Sequence, residues 1–233
     1  MSVRLSTRGR GQVAGLSATA GQRPLTAVIF DLDGVLVDSL PVMREAFLVA
    51  YAEVVGDGQA PFDDYCQHLG RYFPDICEIM GLPLAMEAPF VRESYRLAHR
   101  VPLYPGIREL LQALADLDLR LAVATGKTGA RARSLLAGLG VLPLFEQVTG
   151  SDEVRRPKPA PDIVLRTLDV LGVEPGEAMM IGDAVIDLVS AQSAGVAAVA
   201  ALWGQTDERA LLAARPDAVL REPAEVLALC VPV

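Results

Sequence analysis

Cysteine is scarce in this chain: Cys66, Cys77 and Cys230 are odd in number and far apart, with no C-x-x-C pair. That spacing offers neither a disulfide framework nor a zinc site, and it fits buried, reduced thiols. Acidic residues are missing altogether before Asp31, while Arg4, Arg8, Arg10 and Arg23 fall in that opening stretch. The remainder therefore carries 17 basic residues against 29 acidic ones, a net charge of −12. An acidic body of this kind has no electrostatic footprint for nucleic acid or anionic lipid, so an anionic small molecule must be met by a local, focused site. The first 24 residues lack the apolar segment of a secretory signal. They read as a disordered tail, with an Arg-rich organellar transit peptide as the alternative. Residues 188–206 are uncharged, but their Ser, Gln, Gly and Ala content makes a poor membrane span. A soluble, cytoplasmic protein, monomer or homodimer, is the expectation.

What is present is a chain of 233 residues, 52% hydrophobic, long enough for one sizeable core and a small appended module. Residues 26–30 (TAVIF) form a short apolar run that stops abruptly at the polar segment 31–34. This fits a buried parallel strand delivering side chains at its carboxyl end. Further strands are expected at 120–124, 178–181, 196–202 and 218–220, and helices at 107–117, 128–139, 161–171 and 186–194. Such alternation means an α/β fold, a Rossmann-like doubly wound parallel sheet, whose ligands sit at the carboxyl ends of its strands. Between residues 39 and 104 no strand-like run occurs, and helices are expected at 43–54, 62–68, 73–80 and 89–100. The insertion is too long and too helical for a βα loop. It reads as an α-helical cap, residues 39–104, on a core made of residues 25–38 and 105–233.

Four strand-end segments carry the chemistry. Asp31 and Asp33 stand two apart in DLDGVLVDS, where an extended loop would point both carboxylates the same way. Two converging carboxylates repel unless a cation relieves them, and a divalent metal does so naturally. Taken alone, D-x-D-G is only a turn. Thr125 and Gly126 add a hydroxyl and bare backbone suited to phosphate oxygens. Lys158 lies in RRPKPAPD, where proline stiffens the loop, and Gly182, Asp183 and Asp187 follow in GDAVID. The chain has only two lysines among its 21 basic residues, Lys127 and Lys158, and both fall in these segments. A lysine kept where arginine is the default suggests a role the planar guanidinium cannot fill. Lys127, with no motif of its own, reads as surface.

In this order and spacing, DLDGVLVDS, the T-G strand end, KPAPD and GDAVID resemble the four motifs of the haloacid dehalogenase-like hydrolase superfamily. The resemblance spans residues 25–230, with a cap of the type found in phosphoglycolate phosphatases and β-phosphoglucomutases. It implies Asp31 as nucleophile and Asp33 as general acid and then base. Thr125, Gly126 and Lys158 would hold the phosphoryl group. Mg²⁺ would be bound by Asp31, Asp183 and the Asp33 carbonyl, with Asp187 near its water ligands. Pro157 stands where relatives often have Gly. The implied enzyme is a phosphatase acting on a small phosphate monoester through an aspartyl-phosphate. A phosphosugar mutase is the alternative and a non-catalytic scaffold a third.

Asp33 argues against a dehalogenase, because a halide leaves without needing a proton. The absence of lysine from residues 39–104 excludes the Schiff-base chemistry of the family's phosphonate hydrolases. In the cap, Arg71 and Tyr72 are candidate substrate contacts, whereas His68 and His99 read as structural or surface residues. The stretch HLGRYFPDICEIMGLP also resembles phosphatase-like proteins of 3-amino-5-hydroxybenzoate biosynthesis clusters, which implies an amino-sugar or cyclitol phosphate and a role in antibiotic biosynthesis.

Overall fold

The structure, a computed structural model, describes residues 24–204 and 207–230. The expected tail at 1–24 lies, apart from Pro24, outside the described residues. The first strand, β1 (Ala27–Phe30), leads into α1 (Leu40–Val54), α2 (Phe62–Cys66), α3 (Phe73–Met80) and α4 (Glu87–Arg96). The chain then alternates through α5 (Ile107–Asp116), β2 (Arg120–Thr125), α6 (Gly129–Gly138), β3 (Gln147–Gly150), α7 (Asp162–Leu171) and β4 (Ala178–Gly182). It ends with α8 (Val185–Ser193), β5 (Ala197–Ala201), α9 (Glu208–Ala213), β6 (Ala218–Leu220) and α10 (Val226–Cys230).

All strand pairs are parallel, in the order β3-β2-β1-β4-β5-β6. The strands are short and apolar because both faces are covered. Side chains alternate between two cores. Val28, Phe30, Leu121, Val123, Met179 and Ile181 join one cluster with α5, α6 and α10. Ala27, Ile29, Ala122, Ala124, Ala178 and Met180 join the other with α7, α8 and α9. The strand order reverses between β1 and β4, where a crevice opens at the carboxyl ends and ligands of such sheets bind.

The sequence expectation contained no strand at β3 and no helix at α9 or α10. With one aliphatic side chain in QVTG, β3 has no apolar run to read, and it is defined by its pairing with β2. The expected helix at 89–100 is α4 followed by a separate short turn at Ala98–Arg100.

Helices α1–α4 form a layer with a core of its own. Phe47, Phe62, Tyr65, Phe73 and Phe90 are buried together, with Phe73 and Phe90 stacked at 4.0 Å between ring centroids. Phe47→Ala removes the centre of this cluster and should weaken the layer by about 3–5 kcal/mol. Amide exchange is expected to quicken across residues 40–96 while β1 and β4 keep their protection; equal loosening of the sheet would show that the two cores are not separable.

Candidate active site

Parallel pairing brings the four motif segments to one edge. Phe30 sits opposite Val123 on β2 and Ile181 on β4, so Asp31 emerges between the two neighbouring strand ends. Its backbone N–H donates to the Ile181 carbonyl at 2.9 Å. Gly34 then turns with φ +86°, and any Cβ there would overlap the Asp183 carboxylate. Asp31, Asp183 and Asp187 are all buried, and one carboxylate oxygen from each lies within 4.8 Å of the others.

The cation that makes this tolerable is Lys158. Its side chain is 0% exposed, and Nζ donates to Asp31 Oδ1 at 2.9 Å and to Asp187 Oδ1 at 2.7 Å. The second oxygen of Asp187 accepts the Ala184 N–H at 3.0 Å at the start of α8. Asp187 thus holds Lys158 with one oxygen and the start of α8 with the other, within the same group as Asp31 and Asp183. Burial raises the Asp31 carboxyl, pushed up to about 7 against the attraction of Lys158, with Asp187 and Asp33 adding to the rise. For Lys158 burial works downward, but Asp187 and Asp31 outweigh it and hold the ammonium above its ordinary value.

Asp33 stands outside the three-acid group. Its Oδ1 accepts from the Lys127 ammonium and from the Ser39 hydroxyl. Lys127 is therefore not the surface residue expected: its side chain is 11% exposed and ion-paired with an aspartate that is itself 15% exposed. The pairing spans 94 residues of sequence and depends on β1 lying beside β2. Burial would raise Asp33, but the Lys127 charge, its hydrogen bond and the Ser39 hydroxyl prevail and hold the carboxyl below its ordinary value.

A cleft of about 610 Å³, partly open to solvent, lies between this edge and the cap. Asp31, Asp33, Gly126, Lys127, Asp183 and, from the cap, Arg71 line it. Thr125 and Lys158 are buried and are not among the lining residues. The Thr125 Oγ1 accepts the Lys127 N–H at 3.2 Å. Gly126 has a second role, since a Cβ there would run into the backbone carbonyls of Gly70 and Arg71. Arg131, on the first turns of α6, also lines the cleft and escaped the sequence reading.

Comparison with known proteins now decides the family. The haloacid dehalogenase-like hydrolase family model matches residues 28–201. The chain belongs to the haloacid dehalogenase-like hydrolase family. It is 37% identical over 199 residues to the phosphoglycolate phosphatase of Rhodospirillum rubrum, covering 78% of this chain and 81% of that one. To the pyrophosphatase PpaX of Bacillus pumilus it is 29% identical over 213 residues, covering 88% and 96%. The crystal structure of a predicted phosphoglycolate phosphatase from Haemophilus somnus superposes with a TM-score of 0.80 at 24% identity. That match covers 90% of this chain and 99% of the other, and it is a likeness of fold. Within the family the chain is an enzyme of the phosphatase type, and a buried triad of acids is a site that could hold a metal. No helix among the described residues is long and apolar enough to cross a membrane.

Two substitutions probe this haloacid dehalogenase-type edge. Lys158→Met leaves two buried carboxylates without their cation and should cost about 3–5 kcal/mol, read as a lower denaturant midpoint at unchanged slope. An unchanged midpoint would mean that the three acids do not need this ammonium. Gly126→Ala should prop the loop at Gly70 and Arg71 off the core. Because a displacement of about 1 Å can cost about 10²-fold in rate, turnover should fall by that order while the melting temperature moves little.

Proposed function

We propose that this protein is a Mg²⁺-dependent phosphatase that hydrolyses a small-molecule phosphate monoester, with Asp31 as the nucleophile. The observation that carries the reading is the buried Lys158 bridging Asp31 and Asp187 at the carboxyl end of β1, beside a separately held Asp33.

The donor set fits the metal. Three buried carboxylates share one ammonium, so they retain an excess of negative charge, and hard oxygen ligands suit Mg²⁺. Asp31, Asp183 and the Asp33 carbonyl would hold it. Bound there, Mg²⁺ supplies the positive charge that lets a carboxylate and a phosphate dianion approach each other.

The chain's own residues do the rest. Lys158 fixes the Asp31 carboxylate and lends it a neighbouring positive charge. Asp31 attacks phosphorus, the ester oxygen leaves with a proton from Asp33, and an aspartyl-phosphate forms on Asp31. Asp33 then takes a proton from the water that releases phosphate and restores the Asp31 carboxylate. In the ligand-free protein Lys127 holds Asp33 ionised, so its first proton comes from solvent, and after each turnover it carries the proton taken from water. An arriving phosphate dianion competes for that ammonium, and Asp33, relieved of it, regains affinity for the proton it must deliver. Thr125 and Gly126 border the phosphoryl position at the end of β2.

The named relatives favour hydrolysis over transfer to a second sugar hydroxyl, and they make a phosphoglycolate-type ester the first substrate to try. The amino-sugar or cyclitol alternative rests on the cap sequence 68–83 alone. We assign residues 39–104 as the lid over the phosphorylated end, with Arg71 in its substrate-facing loop, in a protein of the cytoplasm.

Turnover of p-nitrophenyl phosphate should disappear in EDTA and return with Mg²⁺ but poorly with Ca²⁺, whose looser shell misplaces the reacting oxygen. Mass spectrometry of acid-quenched enzyme should place the phosphoryl adduct on Asp31, and Asp31→Asn should abolish both adduct and turnover. Full activity in that variant, or an adduct elsewhere, would overturn the mechanism.

A further inference from the structure

Three cations reach the interior of the site, and they are not equivalently used. Lys158 donates to Asp31 and Asp187, and Lys127 pairs with Asp33. Arg131 is 7% exposed, and among the described residues no hydrogen bond or ion pair is formed by its guanidinium. Its guanidinium lies over the Phe90 ring of the cap, 5.3 Å from Cζ to the centroid, and within the electrostatic reach of Asp33 without a hydrogen bond to it. A planar group with five donors is ordinarily buried only when carboxylates or carbonyls receive them, because removing an unmatched charge from water is costly.

The placement says what would match it. Arg131 lies four residues beyond Lys127, in the first turn of α6, and lines the catalytic cleft. It also lines an adjoining, mainly apolar cleft, partly open to solvent, between α1, α4 and α6, bordered by Val42, Tyr95 and Leu135. The phosphoryl end belongs at Asp31, over Lys158. Arg131 therefore faces the other end of the ester, on the cap side, among the mainly apolar side chains of Met43, Ile76 and Phe90. A guanidinium in such walls is suited to bidentate contact with an oxyanion.

We propose that Arg131 forms a second anion subsite and selects esters whose leaving group carries its own carboxylate or phosphate. This rests on the phosphatase reading for the orientation of the ester. It adds a specificity-determining residue that is neither nucleophile nor metal ligand.

The test measures binding apart from turnover. In the Asp31→Asn protein, dissociation constants are determined with Mg²⁺ present for 2-phosphoglycolate, for ethane-1,2-diyl bisphosphate, and for 2-hydroxyethyl phosphate, which lacks the second anion. With Arg131 intact, the protein should bind one or both esters with an anionic tail more tightly than the hydroxyl analogue; which one identifies a carboxylate or a phosphate as the natural group. Arg131→Met should shrink that preference by about 10²-fold, and Arg131→Lys should restore part of it. Because the guanidinium opens onto the cleft and donates to no protein acceptor among the described residues, Arg131→Met should leave the ligand-free melting temperature unchanged or raise it.

Equal weakening for all three esters, a marked drop in melting temperature, or transfer of the effect to Arg71→Met would overturn the assignment. Turnover in the wild-type background separates the two readings. If p-nitrophenyl phosphate is hydrolysed but the Arg131 preference is absent, the subsite alone fails. If nothing is hydrolysed while the binding preference responds to Arg131, the subsite stands and the reaction must be revised.

Discussion

A lysine ammonium sealed from solvent between two aspartates is the contact around which this protein is arranged. Lys158 can occupy that position only if β1 and β4 are neighbours, because Asp31 follows one strand and Asp187 follows the other. The α8 amino terminus then has to lie where Ala184 can take the remaining Asp187 oxygen. Removing these charges from water costs free energy that their mutual attraction offsets only when the geometry is good and the leftover lone pairs are filled. The short apolar strands below supply that geometry, since side chains packed on both faces leave the strand ends no room to drift.

The same constraint explains how an acidic protein handles an anion. Long-range attraction is unavailable to a chain whose body carries a net charge of −12. Positive charge is instead concentrated at short range, inside walls where water cannot screen it. Each cation is given a distinct duty by its surroundings: one is fixed by two acids, one is held on loan by a single acid, and one faces an aromatic ring. Lysine serves where a compact charge meets carboxylate oxygens, and arginine where a flat surface must rest on a ring.

Much of this was legible in the residues. The strands β1, β2 and β4 announce themselves as apolar runs that stop at aspartate, threonine or glycine, and their ends carry three of the four motif segments; β5 is legible as an apolar run without motif residues. What was not legible depends on the third dimension. Lys127 follows a conspicuous T-G strand end, yet its partner lies 94 residues away and is reached only through the β1–β2 ladder. Arg131 sits in GARARS, where Arg131 and Arg133 look alike. Helical phase buries the first and sends the second to Glu153 at 2.9 Å. The strand β3 has too few apolar residues to stand out and exists because β2 offers it an edge.

The two passages of chain between the sheet and the cap are joined to each other. Val37 bridges antiparallel to Leu103, the Asp38 N–H donates to Pro102 O at 3.1 Å, and the Tyr104 N–H donates to Leu36 O at 3.0 Å. Two independent tethers would let the helical layer twist and slide as well as tilt. Cross-bonded as a ribbon, they resist torsion and shear and yield mainly to bending across the ribbon's thin dimension. The cap is thus mounted on a leaf hinge with one easy axis. If the layer serves as the lid proposed above, each closure would return the loop at Gly70 and Arg71 to the same seat on Gly126, so alignment over the reacting group would be built into the mounting and need not be found afresh by each arriving molecule.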